Sequence, residues 1–218
     1  MNISIFGLGY VGAVCAGCLS ARGHHVLGVD ISPAKIELIN QGKSPIVEPG
    51  LEQLLQDGVS TGRLRGTTDV QAAILASDLS LLCVGTPSKK NGDLDLVYME
   101  AVCREIGTAL RDKANRHTVV VRSTVLPGTV KNVVVPILEQ YSGKKAGVDF
   151  GVAVNPEFLR ESTAIQDYDF PAMTVIGELD SQSGDLLESL YNGLEAPVIR
   201  KSIEVAEMIK YTCNVWHA

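Results

Sequence analysis

A short apolar run, Ile3-Ser4-Ile5-Phe6, leads straight into Gly7-Leu8-Gly9-Tyr10-Val11-Gly12, and few folds accept that junction. The G-x-G-x-x-G spacing alone is weak evidence, because a chain with 21 glycines can produce it by chance. Its surroundings make it strong. A helix of small residues is predicted over 13–22, and Gly23 stands at the place of a helix C-cap. A strand over 25–29 then delivers Asp30, eighteen positions past Gly12. Each part has a physical task. Gly7 permits a tight turn, Gly9 lets the backbone approach a pyrophosphate, and Gly12 lets helix and strand pack closely. The helix start offers free N–H groups and the positive end of its dipole to phosphate. Asp30 would accept hydrogen bonds from both ribose hydroxyls and repel a 2′-phosphate, so the pattern predicts NAD rather than NADP. The competing reading is a purely structural βαβ unit with an idle glycine turn.

The rest of the chain alternates strand and helix over short links, as in a doubly wound, mostly parallel, Rossmann-like α/β sheet. Strands are expected at 64–67, 79–84, 118–122, 150–154, 174–178 and 198–200. Helices are expected at 33–41, 51–56, 96–111, from Pro127 to about Gln140, and at 182–191. Residues 155–171 read as a long connecting segment. Ser202 is expected to cap a last helix that runs to Ala218 without glycine, proline or a polar tail. The expected division is a cofactor-binding domain over 1–201 and, over 202–218, the beginning of a connecting helix that belongs to a longer protein.

Composition narrows the partners. The 218 residues suffice for a full α/β core, and a hydrophobic fraction of 45% with only 5% aromatics suits a sheet built from Val, Ile, Leu and Ala. A net charge of −6, with no basic block larger than Lys89-Lys90 or Lys144-Lys145, argues against a nucleic-acid surface. The uncharged stretch over 1–21 lacks a basic start and is interrupted by the glycines, so it is read neither as a signal peptide nor as a membrane anchor. The five cysteines then read as reduced cytoplasmic thiols, with Cys15 and Cys18 packing a helix on the sheet rather than binding metal. No metal site is expected.

In such a sheet ligands sit beyond the carboxyl ends of the strands. Thr86 and Thr124 each follow a strand directly; each hydroxyl either contacts a ligand or satisfies its own turn. Residues 155–162 bring two carboxylates and an arginine into one strand-end loop. In the last helix Lys210, Asn214 and His217 share one face with Glu207, opposite Met208 and Val215, which is either a functional stripe or an ordinary solvated face. His24, His25 and His117 precede strands and are expected to face solvent.

Five segments together resemble the UDP-glucose/GDP-mannose dehydrogenase family. They are Phe6-Gly7-Leu8-Gly9-Tyr10-Val11-Gly12, Val84-Gly85-Thr86-Pro87, Arg122-Ser123-Thr124-Val125-Leu126-Pro127-Gly128-Thr129, Asn155-Pro156-Glu157-Phe158-Leu159-Arg160-Glu161 and Glu207-Met208-Ile209-Lys210-Tyr211-Thr212-Cys213-Asn214. They occur in order and span nearly the whole chain. The resemblance implies a four-electron, NAD-dependent oxidation of a sugar-nucleotide C6 alcohol to a carboxylate. It implies that Tyr10, Val11, Asp30, Lys35, Thr86 and Thr124 bind NAD, and that Phe158, Leu159, Arg160, Glu161, Lys210, Asn214 and His217 meet the substrate. Lys210 and Asn214 would stabilise an oxyanion. Glu161 and a water on Thr124 would handle protons. The stretches 42–50 and 214–218 look most like the GDP-mannose-oxidising members, which supply alginate precursors; UDP-glucose is the alternative substrate.

One departure carries an expectation of its own. The family places its nucleophilic cysteine in a glycine-rich motif of its second half, and none of these five cysteines lies in one. The chain is therefore expected to bind NAD yet not to turn over alone, with homo-oligomerisation through the final helix in the longer protein. A β-hydroxyacid dehydrogenase and a non-catalytic NAD-binding module are the competing readings.

Overall fold

The computed structural model describes residues 1–217, His217 by its backbone alone. Eight strands form one sheet: β1 (Asn2–Phe6), β2 (His25–Val29), β3 (Leu64–Thr67), β4 (Leu79–Leu82), β5 (Thr118–Val121), β6 (Gly151–Val154), β7 (Thr174–Glu178) and β8 (Val198–Ser202). Their order is β3-β2-β1-β4-β5-β6-β7-β8, and every neighbouring pair is parallel except β6–β7. The expected doubly wound α/β architecture is the observed one. The chain winds outward from β1 to β3, then returns to lay β4 on the other side of β1. That reversal opens a crevice beyond the carboxyl ends of β1 and β4, where ligands bind in sheets of this kind.

The helices are α1 (Tyr10–Ala21), α2 (Pro33–Asn40), α3 (Leu51–Ser60), α4 (Val70–Ala76), α5 (Val97–Asp112), α6 (Val135–Ser142), α7 (Ala164–Asp169), α8 (Ser181–Glu188) and α9 (Ile203–His217). They cover both faces of the sheet, and strand alternation divides the core accordingly. Val120 faces the α1 and α3 side, whereas Val119 and Val121 face the α5 and α6 side. Among the described residues no helix is long and apolar enough to cross a membrane.

Several elements differ from expectation. α4 was not anticipated; it is seven residues long, capped by Asp69, whose carboxylate accepts from the Ala72 N–H at 2.9 Å. α7 lies inside the segment read as a loop, and α3 runs on to Ser60. The helix after Pro127 opens as a π-helical turn, Val130–Val134, before α6. Ser202 ends β8, immediately before α9.

His117 is a correction. It is buried, not solvent-facing, because Ser4, Ser77 and Ser80 supply polar partners within the sheet. Its Nε2 lies 2.7 Å from Ser80 Oγ and its Nδ1 3.0 Å from the Ser77 carbonyl, so Nδ1 carries the proton and Nε2 accepts. Ser80 Oγ in turn meets Ser4 Oγ at 2.6 Å. Burial pushes the His117 imidazole down to about 3, which keeps it neutral.

The antiparallel step at β7 has the largest consequence for the site. It reverses the chain, so α9 starts at the far end of the sheet and runs back toward the loop that follows β6. Gly177 permits this course: a Cβ there would lie 2.6 Å from the Ala206 Cβ and 3.0 Å from the Ile203 Cα, so α9 rests directly on β7.

Candidate functional site

At the crevice the backbone is shaped around the glycines. Gly7 has φ +93°, and a Cβ there would meet the Cys83 carbonyl oxygen at 2.9 Å. A Cβ on Gly12 would fall 1.8 Å from the Gly7 oxygen, so α1 can begin where it does only with glycine at that position. Gly9 faces open space, and the α1 N-terminus carries no side-chain cap. An anion fits there: N–H groups point outward, the helix dipole is favourable and no side chain is in the way. Asp30, at the end of β2, accepts from the Leu8 N–H at 2.7 Å and the Ser32 N–H at 2.9 Å, with Lys35 Nζ at 3.4 Å. Its carboxylate thus braces the glycine loop from the strand-end position that, in a dinucleotide site, accepts hydrogen bonds from the ribose hydroxyls. Thr86 Oγ1 donates to the Thr124 carbonyl at 2.8 Å, which joins the loops after β4 and β5. Val11 sits in the first turn of α1. The residues present therefore fit a dinucleotide's pyrophosphate and ribose.

A cavity of about 750 Å³ lies between residues 155–160, the approach to β7, and α9, and the carbonyl of its lining residue Arg160 stands 3.5 Å from the Tyr10 hydroxyl of α1. Phe158, Leu159, Arg160, Lys210 and Asn214 all line it, so the structure brings together most of the residues the sequence assigned to a substrate. Lys210 is only 7% exposed. Its Nζ stands 3.2 Å from Glu157 Oε1 and 5.3 Å from the centre of the Phe158 ring. Glu157 is held in turn by the Leu159 N–H, 2.8 Å from its other oxygen. A buried ammonium of this kind, fixed by one carboxylate and one aromatic face, is suited to stabilising negative charge that develops on a bound oxygen.

The first half of the α9 stripe, Glu207 and Lys210, faces inward, whereas Asn214 is exposed at the cavity mouth. Glu207 is 1% exposed, while Met208 is 52% and Val215 70% exposed. Glu207 accepts from the Gly128 N–H at 2.6 Å and the Val130 N–H at 2.9 Å. These are otherwise orphaned donors at the start of the π-helical turn. Burial raises the Glu207 carboxyl above its ordinary value. Glu207 and Lys210 are therefore not part of a solvated face, and Lys210 is anchored one turn beyond a carboxylate that grips the loop carrying Thr124.

Some assignments fall elsewhere. Glu161 is exposed on the rim and does not line the cavity. Thr124 stands on the crevice side with Thr86. His217 lies in the last turn of α9, with its side chain outside the described residues. Cys213 lines the cavity, whereas Cys15 is buried behind the glycine loop, where a hydrogen bond from Cys83, aided by the Arg122 charge, pulls its thiol down to about 7. Among the described residues no cluster of three His, Cys, Asp or Glu side chains could hold a metal ion.

Sequence reasoning missed three contributors. Glu157 stood in a quoted motif, but only the fold shows that it, and not Glu161, meets Lys210. Arg122 and Tyr191 form the cavity floor: the guanidinium bonds Asn155 and the Tyr191 hydroxyl, the latter at 3.0 Å, and its Nε is buried without a partner.

Residues 1–195 match the UDP-glucose/GDP-mannose dehydrogenase family, NAD binding domain. The chain belongs to this family. It is 80% identical over 218 residues to a GDP-mannose 6-dehydrogenase of Pseudomonas syringae pv. syringae, covering all of this chain and 50% of that protein. It is 39% identical to the UDP-glucose 6-dehydrogenase AglM of Haloferax volcanii over 223 residues, 51% of that protein. Among solved structures, a ternary complex of GDP-mannose dehydrogenase from Pseudomonas aeruginosa superposes with a TM-score of 0.99 at 78% identity, over all of this chain and 50% of that one. A UDP-glucose dehydrogenase from Pyrobaculum islandicum gives 0.94 at 40% identity, over 99% and 49%. The chain thus spans about half the length of the relatives it matches.

Proposed function

We propose that this chain is the cofactor-binding part of an NAD-dependent sugar-nucleotide 6-dehydrogenase that oxidises GDP-mannose to GDP-mannuronate, an alginate precursor. One observation carries the reading: a buried lysine, paired with Glu157, lines a cavity whose wall residue Arg160 lies with its carbonyl 3.5 Å from the Tyr10 hydroxyl at the start of the cofactor helix. The 80% identity to a GDP-mannose 6-dehydrogenase supports the choice of substrate. Bound NAD supplies the hydride acceptor for both oxidation steps. Lys210 stabilises the oxyanion at C6, with Asn214 donating a hydrogen bond one turn further along α9. Glu157 holds the ammonium in place. Thr124 positions a water near the cofactor side, and Glu161 on the rim exchanges protons with solvent. Phe158, Leu159 and Arg160 form the wall against the sugar, with His217 in reserve at the end of α9.

On this reading the nucleophilic cysteine is supplied outside these 218 residues, and α9 serves as the connecting and dimer-forming helix. The five free cysteines fit a reducing, cytoplasmic setting. The test compares kcat/KM for GDP-mannose and UDP-glucose in a longer protein that contains this chain, since specificity is the ratio of those values. GDP-mannose should be preferred; a UDP-glucose preference would overturn the substrate and leave the family in place. The isolated chain should bind NAD and produce no NADH with either sugar nucleotide. Turnover by the isolated chain would place the nucleophile among Cys15, Cys18, Cys83, Cys103 and Cys213.

A further inference from the structure

The segment Gly42-Lys43-Ser44-Pro45-Ile46-Val47-Glu48-Pro49-Gly50 has no part in the site described above, yet it aims one carboxylate deep into the molecule. Val47 is 97% exposed and its neighbour Glu48 only 7%. Ser44 Oγ donates to the Ile46 carbonyl at 2.6 Å, and prolines flank the turn, so the loop is stiff where it points Glu48 inward.

Three groups converge on that carboxylate. The Tyr10 hydroxyl donates to Oε2 from the first residue of α1, directly after the glycine turn. The Ser162 N–H donates to the same oxygen at 2.9 Å and also lies 3.2 Å from the Tyr10 oxygen. The Ala164 N–H donates to Oε1 at 2.9 Å, at the start of α7. Ser162 has φ +72° and is the one non-glycine residue at positive φ among the described residues. Such a conformation persists only where surrounding bonds over-determine it. Here they come from Glu48 and Tyr10.

We infer that Glu48 is a positioning residue, which ties the loop bearing Glu157, Phe158 and Glu161 to the cofactor helix through the strained Ser162 turn. Its catalytic consequence rests on the function proposed above; its mechanical role does not. The carboxylate occupies the junction of three elements: the loop before α3, the start of α1 and the start of α7. Without it the Ser162 turn loses its main acceptor and relaxes, and the cavity wall shifts relative to Lys210.

The experiment has two arms. In the 218-residue chain, Glu48→Gln presents an amide N–H to backbone donors, so amide hydrogen exchange at Ser162 and Ala164 should rise by about tenfold or more, with the β-sheet amides unchanged. In the longer protein, kcat should fall roughly 10- to 100-fold while KM for NAD stays within about threefold, because a misplacement near 1 Å can cost about 10²-fold. A lowered melting temperature with unchanged exchange at Ser162 and unchanged kcat would overturn the inference and leave Glu48 as packing. Should Glu48→Gln fail to fold, Tyr10→Phe removes one arm of the network and should raise exchange at Ser162; no rise there would equally overturn it. A wild-type protein that ignores GDP-mannose would count against the proposed function, while the exchange arm would still decide the role of Glu48.

Discussion

Lys210 and Glu157 stand 3.2 Å apart although they arrive from opposite directions: Glu157 from the loop after β6, Lys210 from a helix that starts at the far end of the sheet. The pair exists because β7 runs antiparallel to β6 and so turns the chain back. If the ammonium stabilises oxyanion charge, Lys210→Ala in the longer protein should lower kcat by roughly 10²–10³, as loss of an oxyanion donor does elsewhere. Glu157→Gln should lower it less, since the lysine remains. NAD affinity should not change in either variant. A near-normal rate for Lys210→Ala would remove it from the chemistry.

Cofactor choice is testable in this chain alone. Asp30 braces Leu8 and Ser32 and faces the crevice, so Asp30→Ala removes both the ribose acceptor and the support of the glycine loop. Calorimetric titration should show NAD binding weakened by about 1.5–3 kcal/mol, the range for hydrogen bonds to a charged group. The unaltered chain should prefer NAD to NADP, and equal or tighter NADP binding would contradict the role given to Asp30.

What was legible in the sequence was what local pattern encodes. Apolar runs marked the strands, and the glycine spacing with Asp30 marked the crevice, because each of those tasks is done by residues near one another in the chain. α4 and α7 escaped because seven and six residues are too few for helical periodicity to register. Periodicity also assigned residues to the two faces of α9 without saying which face turned inward. The usual rule was reversed there: Glu207 and Lys210 are buried and Met208 is exposed. Glu48 and Ala164 are 116 residues apart, a contact that only the assembled sheet creates.

Acid should destabilise the fold partly through His117. The imidazole titrates near 6.5 in the unfolded chain and at about 3 when buried. Between those values the unfolded state holds a proton that the folded state refuses, so stability is complete above the unfolded value and falls as pH drops toward 3. The slope from this one group is at most about 1.4 kcal/mol per pH unit. Urea unfolding across that interval should therefore be less pH-dependent for His117→Gln than for the unaltered chain. Identical slopes would mean that another group carries the acid sensitivity.

Glu207 carries the opposite sign. Burial raises its carboxyl above the ordinary 4.5, so its contribution is complete below that value and declines as pH rises through the folded-state value. The two backbone bonds it makes still favour the wild-type residue near neutrality, because Gly128 and Val130 have no other acceptor for those N–H groups within the turn. Glu207→Ala should cost about 1–3 kcal/mol in urea unfolding, the penalty for buried donors left unmade. It should also lower kcat in the longer protein, since the same carboxylate fixes α9, and with it Lys210, against the loop that carries Thr124. A variant that loses stability but keeps its full rate would show that Lys210 is held by Glu157 and Phe158 alone.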